Sequence, residues 1–290
     1  MRPFASLCSL MVVTLCFLGC DSKTASDTPA SNTSEKSANI SEKPVAAKQD
    51  IRGEEVLYEV DGVQLTGYIA YDANQTEQRP GVLVVHEWWG HNEYVRTRAH
   101  MLAKMGYTAF ALDMYGDGKQ AGHPDDAQKF MMEVMSNMSV GEQRFSAAKK
   151  ILNDHETTFP NKTAAIGYCF GGAVVLHMAR QGENLQGVAS FHGNLSTQTP
   201  AKPHAIKSKI LVMHGADDPF VPAEQVDTFK TEMAAAVADM KFIAYPNTVH
   251  AFTNPGATAL GEKFDLPLAY NLEADEKSWS ELDAFLKTIF

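Results

Sequence analysis

Lys162-Thr163-Ala164-Ala165-Ile166, then Gly167-Tyr168-Cys169-Phe170-Gly171-Gly172, then Ala173-Val174-Val175-Leu176-His177-Met178-Ala179-Arg180: strand-like residues, a glycine-framed turn and a helix-like apolar run follow one another without a spacer. A strand-to-helix turn this sharp strains the backbone of its central residue. Glycines two before and two after that residue remove the side chains that would collide where strand and helix cross. Gly167 and Gly171 stand at those positions, so the stretch reads as a nucleophile elbow with Cys169 in the attacking position. The same six residues also fit a glycine-rich turn around a buried structural thiol, and the rest of the chain has to decide between the two.

Outward from the elbow, short apolar runs of buried-strand type recur at 81–85, 108–112, 163–167, 187–191, 209–213 and 241–245. Stretches with helical spacing lie between and after them, at 94–104, 125–138, 141–153, 172–181, 222–238 and 273–290. Strand alternating with helix predicts βαβ units and a mostly parallel sheet with helices on both faces. Ahead of these, Val56 to Val60, the turn Asp61-Gly62 and Val63 to Tyr71 predict a hairpin. In such a sheet the chemistry collects at the carboxyl ends of the strands, and each candidate below sits in the loop just after a strand.

After the strand Lys209 to Met213 comes His214-Gly215-Ala216-Asp217-Asp218-Pro219-Phe220-Val221. A carboxylate there can accept a hydrogen bond from a histidine and hold its tautomer. Asp217 and Asp218 compete for that role, and Asp218 fits the His-Gly-x-x-Asp-x-x-Val spacing; an Asp capping the next helix is the plain alternative. After the strand Lys241 to Tyr245 comes Pro246-Asn247-Thr248-Val249-His250-Ala251-Phe252. Cys169, Asp218 and His250 thus follow the α/β-hydrolase chain order of nucleophile, acid and base. An imidazole and a helix N-terminus favour a thiolate, and the ring can take the thiol proton and later activate water.

Composition sets the frame. The chain has 290 residues, 44% hydrophobic and 21% charged, which suits one sizeable globular domain. Residues 51–290 hold twenty basic and thirty acidic side chains, the same −10 balance as the whole chain. This argues against nucleic acid or an anionic lipid surface as partner. Arg2, the apolar run Leu7 to Leu18 and Gly19-Cys20 predict an export signal over 1–19. Residues 20–50 carry one large aliphatic, Ile40, among Ser, Thr, Ala, Lys, Glu and Asp, and predict a disordered tether. Of the four cysteines, Cys8 and Cys16 leave with the signal, so Cys169 is the only thiol of the domain 51–290. An exported chain with one unpaired thiol is flagged as reactive. His86-Glu87-Trp88-Trp89-Gly90-His91 raises zinc, but its histidines stand five apart where the metalloprotease motif needs four, and no metal site is expected.

Two resemblances follow. The ending Phe17-Leu18-Gly19-Cys20 resembles a bacterial lipobox, which implies acylation at Cys20 and a lipoprotein on the periplasmic side of a membrane. Asp21 resembles an inner-membrane retention signal, and a soluble periplasmic product is the alternative. The elbow, the loop around Asp218 and His250-Ala251-Phe252 resemble the dienelactone hydrolase family, from about Glu54 to the C-terminus. That resemblance implies cleavage of a carboxylic ester, lactone or thioester through an acyl-cysteine, with no cofactor. It implies that Glu87 bonds the resting thiol, and that the N–H groups of Phe170 and Trp88 form an oxyanion hole. Trp88 or Trp89 and Tyr115 are expected to line the acyl pocket. Where the family places substrate-binding arginines, this chain has Asp117 and Asn254, a change that disfavours an anionic lactone. A non-catalytic, lipid-anchored binding or scaffold domain is the rival from another class; it predicts a lost triad member, yet all three are present.

Overall fold

The computed structural model describes residues 48–290. The expected signal, Cys20 and the expected tether as far as residue 47 lie outside the described residues. The chain enters through β1 (Ile51–Val60) and β2 (Val63–Asp72), an antiparallel hairpin. Asp61 and Gly62 turn it with φ of 51° and 77°, the left-handed pair that a two-residue type I′ turn requires.

The sheet continues with β3 (Arg79–Val85), β4 (Thr108–Leu112), β5 (Thr158–Tyr168), β6 (Gly187–Phe191), β7 (Lys209–Gly215) and β8 (Met240–Tyr245). Its order is β1-β2-β4-β3-β5-β6-β7-β8, antiparallel up to β4 and parallel from β4 to β8. The order reverses around β3: β4 lies on one side of it and β5 on the other. Loops leaving β3 and β5 therefore meet at a topological switch point, the usual place for a ligand in an open α/β sheet.

Alternation along the strands builds two cores. Leu83, Val85, Phe110, Leu112 and Ala165 pack with α3 (Met138–Asp154), α4 (Phe170–Arg180) and α5 (Ala223–Ala235). Val82, Val84, Ala109, Ala111, Ala164 and Ile166 pack with α1 (Glu93–Lys104) and α7 (Leu272–Ile289) on the opposite face. Burial on both faces explains why these strands read as unbroken apolar runs.

The two helices expected at 125–138 and 141–153 are α2 (Pro124–Met135) and α3, with the break near Ser136-Asn137. One feature departs from the sequence-based expectation. Helix α6 (Ala257–Phe264) has no counterpart among the predicted helices. At eight residues, with Gly261 inside it, α6 is too short to show a helical period. No described helix is long and apolar enough to cross a membrane.

Candidate active site

Cys169 sits between β5 and α4 with φ 53° and ψ −115°, a conformation that L-residues keep only when the surroundings impose it. The glycines explain how the turn closes. A Cβ on Gly167 would lie 2.0 Å from the Gly171 carbonyl oxygen, and one on Gly171 would lie 2.3 Å from the Val85 carbonyl oxygen. The Cys169 N–H donates to the Phe191 carbonyl at 3.0 Å and that of Gly171 to the His86 carbonyl at 3.1 Å. The thiol is half-buried rather than sealed in the core, and Cys169 and His250 line the same cavity of about 580 Å³.

Asp218 and His250 are brought together and Asp217 is not. Asp217 is exposed, whereas His250 Nδ1–H donates to Asp218 Oδ2 at 2.7 Å and the Phe220 N–H donates to Asp218 Oδ1 at 2.9 Å. Both carboxylate oxygens are thus satisfied, which leaves the other ring nitrogen of His250 free for the thiol that lines the same cavity. Burial opposes a charge on the ring. Interaction with Cys169, the hydrogen bond to Asp218 and the Asp218 charge outweigh it and push the His250 pKa up to about 10. Phe220 and His192 meet the ring edge-on, with centroids 5.1 and 5.2 Å away.

Phe170 and Trp88 both line the cavity. Among the described residues neither backbone N–H has an acceptor, so both are free to meet an oxyanion. Tyr115 and Trp89 correct the expectation that they line the pocket. Tyr115 is buried between the rings of His86 and Phe170 and donates its hydroxyl to the Trp88 carbonyl at 3.0 Å, bracing the loop that carries the Trp88 N–H. Trp89 is turned away onto Phe264 and the edge of Trp88, because consecutive residues of the loop project in different directions.

Glu87 is buried, but its carboxylate does not bond the resting thiol. Oε2 accepts from Asn254 Nδ2 at 2.6 Å and buried Oε1 has no partner. Burial raises its pKa to about 7, against the Asn254 bond and the charges of His250 and Arg98. Asn254 is therefore occupied by Glu87. Asp117 is exposed beside Lys119, with 3.6 Å between their charged atoms, and gives the cavity no acid.

One residue of the site was not singled out from the sequence. His192 follows β6 with φ 41°. Its Nδ1 accepts from the Cys169 N–H at 3.1 Å, so Nε2 carries the proton and bonds Thr253 Oγ1 at 2.7 Å; Thr253 in turn meets the Tyr94 hydroxyl at 2.6 Å. Burial first, then the charges of His250 and Arg98, hold His192 well below the usual histidine range. It is a neutral brace on the nucleophile's backbone. A titratable side chain directly after a buried strand at the carboxyl edge of the sheet was the available signal. His86 and His91 make structural bonds instead, to the Glu87 carbonyl at 2.6 Å and the Ala111 carbonyl at 3.1 Å.

An eight-stranded, mostly parallel sheet with an elbow after the fifth strand and a His–Asp pair on later loops defines an α/β-hydrolase. The chain belongs to the dienelactone hydrolase family, whose model matches residues 65–290. Protein usf of Aquifex pyrophilus is 32% identical over 207 residues, covering 70% of this chain and 87% of its own length. The crystal structure of a dienelactone hydrolase-like promiscuous phosphotriesterase from metagenomic libraries is similar with a TM-score of 0.76 and 32% identity, covering 83% of this chain and 99% of that one. The dienelactone hydrolase of Anabaena variabilis, at 19% identity and a TM-score of 0.56 over 73% of this chain and 94% of that one, shares the fold. The chain is accordingly a hydrolase of the carboxylic ester hydrolase type.

Proposed function

We propose that the protein cleaves a carboxylic ester, lactone or thioester through an acyl intermediate on Cys169, with Asp218 and His250 completing the triad. The observation that carries this reading is the bond of 2.7 Å between buried Asp218 and His250, on a ring that shares a cavity with a thiol held at positive φ. With its pKa pushed up to about 10, His250 is an imidazolium at neutral pH, the partner that favours a thiolate. Sulfur attacks the carbonyl carbon, and the oxyanion is received by the N–H groups of Phe170 and Trp88. His250 then gives its proton to the leaving oxygen or sulfur as that bond breaks. Neutral His250 next takes a proton from water, the hydroxide attacks the acyl-cysteine, and the acid departs as thiolate and imidazolium are restored. Glu87, buried with its pKa raised to about 7 and interacting with the charge of His250, tunes the charge of that ring.

The test is turnover of p-nitrophenyl esters by Cys169→Ala, which is expected to fall to the uncatalysed rate. Retention of wild-type turnover would falsify the proposal. We also propose, on the lipobox resemblance alone, that Cys20 is acylated and tethers the enzyme to the periplasmic side of a membrane. The mass of the N-terminal peptide from membrane-extracted protein tests this, and an unmodified Cys20 refutes it.

A further inference from the structure

Helix α2 turns one apolar face into the core and leaves two methionines beside it half-exposed. Ala127 and Val134 are buried, with Phe130 and Met131 packed against the core beside them. Gln128, Met131, Met132 and Met135 fall at i, i+3, i+4 and i+7 and so lie along one side of the helix, with Met131 at the edge of the core face, and all four line the cavity that holds Cys169 and His250. Met132 is 50% exposed and Met135 40%. Large apolar side chains left uncovered around a reactive thiol mark a surface that a ligand covers.

The opposite wall gives the same chemistry. Trp88, Phe170, Phe220 and Leu268 are apolar, and the polar members besides His250 are the uncharged Gln128, Asn194 and Ser196. Among the described residues no Arg, Lys, Asp or Glu lines the cavity, and Asn254, at a position where a cation would favour an anionic substrate, is held by Glu87. A volume of about 580 Å³ lies within the roughly 300–1,000 Å³ of pockets that enclose drug-sized ligands. An acetyl group would leave most of it unfilled.

From these observations we infer that the substrate carries a neutral, extended apolar acyl group laid along the methionine face of α2. This deepens the proposed hydrolase function and rests on it. Methionine suits the task because its unbranched, polarizable side chain adapts to ligands of varied outline. A carboxylate on the acyl chain would lose water in this cavity and meet no cation besides the catalytic His250, whose charge is already paired with Asp218.

The experiment measures kcat/KM of the purified full chain on p-nitrophenyl acetate, butanoate, hexanoate and octanoate, and compares the pentanoate with the monoanionic succinate ester of similar length. Each methylene that enters the cavity is worth about fourfold. Hexanoate is therefore expected to exceed acetate by at least about tenfold, and pentanoate to exceed succinate by a similar factor. In the double variant Met132→Gln, Met135→Gln, two half-exposed positions, the ratio of hexanoate to acetate is expected to shrink by about threefold or more. Acetate or succinate as the preferred ester, or an unchanged ratio in the double variant, overturns the inference while the hydrolase reading stands. No turnover of any ester or thioester by the wild type overturns both.

Discussion

Replacing Asp218 by asparagine changes the site by one charge and almost no volume, so it isolates what the carboxylate does for His250. Its oxygens serve two donors, His250 Nδ1–H at 2.7 Å and the Phe220 N–H at 2.9 Å. An amide has only one acceptor oxygen. If that oxygen stays on Phe220, the amide nitrogen faces Nδ1, and the ring proton must move to the nitrogen beside the thiol. That nitrogen can then no longer accept the thiol proton. If the amide turns the other way, its nitrogen meets the Phe220 N–H donor to donor, and a buried bond is lost. The charge-assisted bond alone is worth about 1.5–3 kcal/mol, or roughly 10- to 150-fold in rate. A wrong tautomer in the serine triad costs about 10⁴. We expect kcat/KM to fall by about 10³, between these bounds. The pH profile should move as well. The raised pKa of about 10 keeps the imidazolium charged until pH rises through that value, with Asp218 among the groups that sustain it. The asparagine variant should lose that form at lower pH, so the alkaline limb moves down. Steady-state turnover of p-nitrophenyl hexanoate across the pH range, with circular dichroism as a control for folding, reads both effects. Activity within threefold of wild type and an unmoved alkaline limb would refute the role given to Asp218.

Three further outcomes follow from the same geometry. Glu87→Gln should be more stable than the wild type at pH 8 but not at pH 4. With its folded pKa raised from 4.5 to about 7, the carboxyl binds more protons folded than unfolded, so its penalty grows as pH rises through that window to about 3 kcal/mol; equal urea midpoints at pH 8 would contradict this. Gly171→Ala should lower stability by about 2–4 kcal/mol in urea denaturation, because the new methyl would lie 2.3 Å from the Val85 oxygen and 2.7 Å from that of His86; an unshifted midpoint would show that the elbow has slack. His192→Leu removes one of the two acceptors of the Cys169 N–H, leaving the Phe191 carbonyl, and also the partner of Thr253, and should cost about five- to tenfold in kcat with the pH limbs of the wild type kept. A limb lost near neutrality would mean that His192 titrates during turnover.

The parallel strands were legible because burial on both faces makes them unbroken apolar runs, as at Thr108–Leu112 and Gly187–Phe191, where the expected and observed bounds coincide. The hairpin was legible because Asp61-Gly62 carries the turn chemistry itself. Cys169, Asp218 and His250 could be named because each lies in the loop that follows a strand, and sheet topology gathers strand ends. Side-chain direction within a loop was not legible. Trp88 and Trp89 are neighbours of the same type, yet only Trp88 lines the cavity, and Tyr115 ended beneath the loop instead of inside the pocket. The Asn254 bond that turns Glu87 from the thiol spans 167 positions, a pairing with no local pattern to announce it. The methionine face of α2 has a clear i, i+3, i+4, i+7 spacing, but that pattern does not tell a core face from a ligand face.

The most direct test of the account is the covalent intermediate. Wild-type protein mixed with an excess of a slowly deacylating hexanoate ester and quenched in acid is predicted to gain the mass of one hexanoyl group, mapped by peptide mass spectrometry to Cys169. The adduct should disappear on further incubation as hexanoate is released. Turnover of the ester with no acylated species at any quench time, or with the acyl group on another residue, would contradict nucleophilic catalysis by Cys169.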